Sequence, residues 1–330
     1  MDTLETWRRI FFLANEIASF HPWDMFAEDN LLAYILDDTE RHEHFFSFLN
    51  ESSGQYGIAI YPSGNDCLLA QQRLHNKNRK REPIFLLQNA VVLLWGNRED
   101  VSKENRALLK DLGIKCRGKG SWLHIEQYRI GYAPHCVPGE ALGTLENDLG
   151  NLWMMMRAVV EEKLKPDFTN NKILARMRAS DGQWYNYVSS LRHKKAPEYT
   201  RITMVENEWL QRLRNMIPKG TVELDWSYYP NIVKDGKEEI IPRLVWAVDA
   251  RTGIVLKHGL LAPSAAPQED MLSFLDELIQ VGSKPSVIEI SDREIESYIA
   301  DICKQSGIRL VFKNSLKKLD TIRREYLKTL

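Results

Sequence analysis

The stretch that decides the fold runs from residue 243 to 261, RLVWAVDARTGIVLKHGLL. Its two apolar runs, 243–248 (RLVWAV) and 254–261 (IVLKHGLL), carry the β-branched and aromatic residues that suit a pleated, half-buried surface. Between them, Asp249-Ala250-Arg251-Thr252-Gly253 begins on Asp and ends on Gly, the chemistry of a tight hairpin. Asp249 is therefore expected in a turn, not in catalysis. Working upstream, 222–233 (VELDWSYYPNIV) reads as a strand that ends at the polar turn Asp235-Gly236-Lys237. Downstream, 267–280 has Met271, Phe274, Leu275, Leu278 and Ile279 at helical spacing. A strand over 286–290, a helix over 293–306 closed by Gly307, a strand over 308–312 and a helix over 316–327 complete the pattern. The order is β-β-β-α-β-α-β-α. It predicts an antiparallel meander to which crossover helices add parallel strands.

That order is similar to the ribonuclease H-like fold, over about 110 residues. The resemblance implies a mixed-sheet α/β domain. Nucleases of that fold hold two divalent cations on carboxylates, because hard cations such as magnesium or manganese take oxygen ligands and a pair of them clamps a phosphodiester. Carried onto this chain, the resemblance points to Asp225 on the first strand, Glu269 and Asp270 at the start of the first helix, and Asp292 at the end of the fourth strand. Asp320 sits in the last helix. Asp225 and Asp292 would be the metal ligands. Capping predicts the same residue types without chemistry: Asp292 immediately precedes a helix, and Glu269 and Asp270 fall in a first turn. A non-catalytic version of the fold is the primary expectation, and a metal-dependent nuclease the alternative.

Further upstream the pattern is mixed. Helices are expected over 7–18, 68–74, 102–112 and 139–163, and strands over 31–36, 55–61, 84–87, 90–95 and 122–132. The long helix carries Met154-Met155-Met156, read as core. From 165 to 200 apolar density falls and Pro166, Asn170-Asn171, Gly182 and Pro197 appear, so this segment reads as a connector in which Trp184, Tyr185 and Tyr187 pack on something. Trp209 and Leu213 mark a short helix before Pro218. The expected organisation is an α+β domain over 1–164, a connecting region over 165–200 and the ribonuclease H-like α/β domain over 201–330.

Pro22-Trp23, QYGIAIYPSG (55–64) and GKGSWLHIEQYRIGYAPHCVPG (118–139) carry a resemblance to a bacterial family of unknown function. RLVWAVDARTGIVLKHGLLAP (243–263), KPSVIEISD (284–292) and SGIRLVF (306–312) carry a second one. Together the chain resembles a bacterial two-domain family in which two uncharacterised domains stand in tandem. The resemblance implies an intact prokaryotic two-domain protein and no particular activity.

Composition narrows the remaining classes. With 44 basic and 45 acidic side chains the net charge is -1, so no global field steers nucleic acid or an anionic membrane to the chain. Apolar runs such as Val91-Val92-Leu93-Leu94-Trp95 stop after about five residues, against roughly 20 for a spanning helix. The start is acidic (Asp2, Glu5) and unlike a signal peptide. Cys67, Cys116, Cys136 and Cys303 are scattered, which fits reduced thiols in the cytoplasm. Two local basic clusters stand out: Arg73, Lys77, Arg79, Lys80 and Arg81, and eight basic residues against two acidic over 304–328. With Trp184, Tyr185 and Tyr187 as stacking surfaces, these form the nucleic-acid-binding alternative. His193-Lys194-Lys195 makes a smaller basic run. His42, His44, Cys116, His124, His135 and Cys136 lack zinc spacing, and Gly118-Lys119-Gly120 lacks the rest of a phosphate loop. No cofactor is expected outside the nuclease alternative; the partner is unknown, with another protein or nucleic acid as the candidates and no membrane.

Overall fold

The computed structural model describes residues 3–27, 32–35, 43–49, 56–75, 82–169, 172–190, 198–199, 201, 203, 207–264, 266–326 and 328. The chain divides into two compact units: Met1–Asn76 with Pro83–Arg129 and Pro134–Pro197, and Lys77–Glu82 with Ile130–Ala133 and Glu198–Leu330.

The first unit is built on an eight-stranded sheet among the described residues. Its strands are β1 (Leu32–Ile35), β2 (Glu43–Leu49), β3 (Tyr56–Tyr61), β4 (Ala90–Gly96), β5 (Trp122–Tyr128), β6 (His135–Cys136), β7 (Lys172–Arg178) and β8 (Trp184–Ser190), in the order β6-β5-β4-β3-β2-β1-β7-β8. Neighbours are antiparallel except β1 and β7, which run parallel. Helices α1 (Thr3–Ser19), α2 (Pro22–Met25), α3 (Gly64–His75), α4 (Lys103–Asp111) and α5 (Leu142–Val160) complete it. Strand alternation sorts the core onto two faces. Phe46, Phe48, Ile58, Leu93 and Ile125 meet Ile10, Leu149, Leu152 and Met155 of α1 and α5. Phe45, Tyr61, Val92 and Tyr128 meet Cys67 and Ala70 of α3 on the other face.

Three expectations change here. The segment 165–200 is not only a connector, since it contains β7 and β8. Ile173, Leu174 and Ala175 of β7 are buried, and the parallel pairing Leu32↔Leu174 seats them beside a strand far away in sequence. The stretch 84–87 is a 3-10 turn, Ile84–Leu86, entered from Pro83. The strand β2, EHFFSFL, was not anticipated; its Phe46 and Phe48 are fully buried. The Met-rich helix does fill the core, with Met155 and Met156 fully buried and Met154 at the surface.

The second unit follows the predicted order. After α6 (Glu208–Asn215) come β9 (Thr221–Tyr228), the small hairpin β10 (Val233–Asp235) and β11 (Glu238–Ile240), β12 (Arg243–Asp249) and β13 (Val255–Leu261). Then α7 (Pro267–Val281), β14 (Val287–Ile290), α8 (Arg293–Ser306), β15 (Arg309–Phe312) and α9 (Lys317–Tyr326) follow. The main sheet has the order β13-β12-β9-β14-β15. The meander β9-β12-β13 is antiparallel, and β14 and β15 add in parallel. This is the ribonuclease H-like arrangement. The expected strand over 222–233 ends at Tyr228, because the chain leaves the sheet to form the separate β10–β11 hairpin around Gly236, whose φ is 60°. The β12–β13 turn is as expected: the Asp249 carboxylate accepts from the Arg251 and Thr252 amides and the Thr252 hydroxyl, and Gly253 takes φ 80°.

Candidate functional site

Alternation along β9 decides how the acids of the second unit are distributed. Val222, Leu224 and Trp226 point to one face, where they pack with α7 and α8 through Met271, Phe274, Leu275, Ile295 and Ile299. Glu223, Asp225 and Ser227 point to the other, with α9; there Leu244, Trp246 and Val248 of β12 pack on Leu316 and Leu319. Successive residues of a strand cannot share a face.

Asp225 is 6% exposed and its charge is answered on the α9 face. Its Oδ2 accepts from the Ser291 hydroxyl at 2.8 Å and from Arg323 Nη2 at 3.1 Å. Ser291 follows β14 and Arg323 lies on α9, so the carboxylate is boxed in by a neighbouring strand end and the covering helix. Two residues earlier, buried Glu223 accepts from the Leu319 amide at 2.7 Å, in the first turn of α9, where a negative charge is favoured. The two carboxylates of β9 thus fasten α9 to the sheet.

Asp292 belongs to the opposite side. Its Oδ1 caps α8 by accepting from the Glu294 amide at 2.7 Å, and its Oδ2 accepts from Trp226 Nε1 at 2.9 Å. The Trp226 ring in turn lies 3.9 Å from the Arg243 guanidinium carbon, and Arg243 pairs with Glu294 at 3.0 Å. Tyr298 donates to the same Glu294 carboxylate at 2.9 Å. Asp292 is one member of a network that anchors the start of α8. Glu269, exposed, and Asp270, half-buried, sit in the first turn of α7, on a helix whose buried residues pack on the Trp226 side. Asp320 accepts from the Leu316 amide at 3.1 Å, as a residue ordering the entry to α9 does.

The structure therefore does not gather Asp225, Asp292, Glu269 and Asp270 around one point. A cation pair needs carboxylates that converge with free oxygens. Here Asp225 is held by a guanidinium, and Asp292 is turned to the other face of the strand. The residues present do not fit a magnesium or manganese pair. Among the described residues, no three His, Cys, Asp or Glu side chains are grouped to hold a metal ion.

Of the basic cluster, Arg73 is 8% exposed on α3, which sets it apart from a solvent-facing phosphate contact. Lys77, Arg79, Lys80 and Arg81 lie outside the described residues, as do His42 and His193-Lys194-Lys195. Trp184 packs against Arg176, with the guanidinium carbon 5.0 Å from the ring centre, and the Tyr185 hydroxyl donates to Asp181 at 3.0 Å. The residues that sequence reasoning missed are Arg323, Ser291, Trp226 and Arg243. Arg323 was visible only as one charge in a basic terminal stretch. Its partner lies 98 residues away.

Among the described residues no helix is long and apolar enough to cross a membrane.

Residues 7–176 match a family described as "Domain of unknown function (DUF7309)", and residues 209–327 match a second, "Domain of unknown function (DUF6930)". Among curated proteins there is no match. Solved structures similar to this chain include the HTLV-2 integrase catalytic core domain in complex with magnesium, at 16% identity and TM-score 0.27, covering 34% of this chain and 72% of that one. Another is a chain of the simian T-cell lymphotropic virus intasome in complex with PP2A regulatory subunit B56 gamma, at 17% identity and TM-score 0.27. That match covers 42% of this chain and 46% of the other, less than half its length. The catalytic core domain of BIV integrase is 15% identical with TM-score 0.25, over 32% of this chain and 64% of that one.

Proposed function

This chain belongs to the DUF7309 family, and we propose that it is a bacterial cytoplasmic binding protein whose ribonuclease H-like unit is non-catalytic and serves interaction with another protein. The observation that carries this reading is the Asp225–Arg323 ion pair, with side chains 8% and 18% exposed. A carboxylate whose charge is already compensated in a buried setting has little left to offer a cation. Removing Arg323 would instead strand a buried charge. Its position on the opposite side of β9 from Asp292 adds to this.

A second feature supports the interaction role. The outer strand β13 and the turn before it expose Ile254, Val255, Leu256 and Leu260, at 62%, 37%, 39% and 51%. Large apolar side chains gathered on an edge strand are what a partner surface uses. Cys67, Cys116, Cys136 and Cys303 are free thiols, which supports a reducing compartment, and burial pushes Cys67 and Cys303 up to about 12, which makes those two inert.

The test is a cleavage assay on the full chain with single- and double-stranded DNA and with RNA, in magnesium and in manganese. The expected result is no cleavage above the level of the Asp225→Asn variant. Metal-dependent cleavage that Asp225→Asn abolishes would overturn the reading in favour of the nuclease.

A further inference from the structure

The sheet of the first unit carries a polar row beneath α5 that the interaction reading does not use. Pairing across β2, β1, β7 and β8 aligns His44, position 34, Arg176 and Asn186. The adjacent row, Phe46, position 32, Leu174 and Val188, is apolar at the three positions whose side chains are described. Above the polar row α5 places Asp148 and Asn151, both buried. Asp148 meets His44 Nδ1 at 2.9 Å, so the cluster's acid has a basic partner.

Arg176 has none. It is 6% exposed, its Nε donates to Asn151 Oδ1 at 2.9 Å and its Nη1 to Asn186 Oδ1 at 2.9 Å, and the Trp184 ring covers it at 5.0 Å. Both acceptors are neutral amides. Among the described residues no carboxylate pairs with this guanidinium, and burial lowers its pKa with no acid opposing the shift. A buried charge without a counter-charge is expensive, and proteins ordinarily pair it. A guanidinium has five N–H donors in a rigid fork matched to carboxylate and phosphate oxygens, and two contacts orient it without using the rest. Among the described residues β8 is the last strand in the sheet order, and Asn186 and Trp184 are only half-buried, so the described row opens at that edge.

We propose that the first unit contains a binding site for a small anion, in which Arg176, held by Asn151, Asn186 and Trp184, receives a carboxylate or phosphate group. The missing counter-charge is then supplied by the ligand. The amide oxygens act as positioning groups that fix the fork, and the Trp184 face excludes water from one side of it.

The experiment titrates the full chain separately with inorganic phosphate and with malonate, at an ionic strength held constant with sodium chloride, and reads calorimetric binding and the melting temperature. Saturable binding of one anion, with a rise in melting temperature, is expected, and the anion that responds identifies the ligand group. Arg176→Met should abolish the response, each anion titration being read against that variant's own unliganded melting temperature. Asn186→Ala, at a half-buried position, should keep the fold and weaken affinity by about tenfold. No saturable response to either anion would overturn the site. So would a response that survives Arg176→Met unchanged or, should that variant fail to fold, one that Asn186→Ala leaves at full affinity.

Discussion

Asp225 is a buried acid and Glu126 a half-buried one, both on strands, and their surroundings differ. Asp225 has a hydroxyl and a guanidinium on its oxygen. Glu126 of β5 sits in partly buried surroundings where burial pushes its carboxyl up to about 7 from 4.5. The folded state therefore binds this proton more tightly than the unfolded chain does. Stability from this group is full below about pH 4.5 and falls as pH rises to about 7, then stays level. Chemical denaturation across that window should show the decline, and Glu126→Gln should flatten it. At this scale the sequence disclosed where acids fall relative to strands and helices but not what answers them. Ser291 lies 66 residues and Arg323 98 residues from Asp225, and no local pattern links them. The capping reading of Asp292 needed only its neighbours, and the Glu294 amide contact is that local geometry.

Among the elements, α9 shows how a short helix is made to stay. It brings Leu319, 1% exposed, onto Trp246 and Val248, and it adds the two carboxylate contacts from β9. Trp246 also meets Tyr326 of α9 edge to face at 5.1 Å. Leu319→Ala should therefore cost about 2–4 kcal/mol by the cavity it leaves, read as a shift in the urea midpoint of unfolding. The elements of the second unit were legible because each is bounded locally: Asp249 and Gly253 close a hairpin, Gly307 ends α8, and apolar residues recur at helical spacing on α7. Those of the first unit were less so. β7 draws its place from parallel pairing with β1, and the polar residues flanking it hide a buried Ile173-Leu174-Ala175 core. The turn Ile84–Leu86 has strand-like composition, but Pro83 and the following Gln88-Asn89 leave too little length for a ladder.

At the scale of the whole molecule, both units hold charged groups in internal pairings among the described residues. Asp225 with Arg323, Glu294 with Arg243 and Asp148 with His44 are examples, against a net charge of -1. Arg176 stands out because amides and an indole surround it instead. The second unit keeps the predicted order of strands and helices, and its acids Glu223, Asp225 and Asp292 fasten helices to the sheet. Asp225 and Arg323 compensate one another in the folded chain, which a double-mutant cycle of Asp225→Asn and Arg323→Met, read by equilibrium unfolding of the full chain, measures. Each single variant should lose about 3 kcal/mol and the double variant recover much of it, a coupling of at least about 1 kcal/mol. Strictly additive losses, or an Arg323→Met variant as stable as the parent, would contradict it.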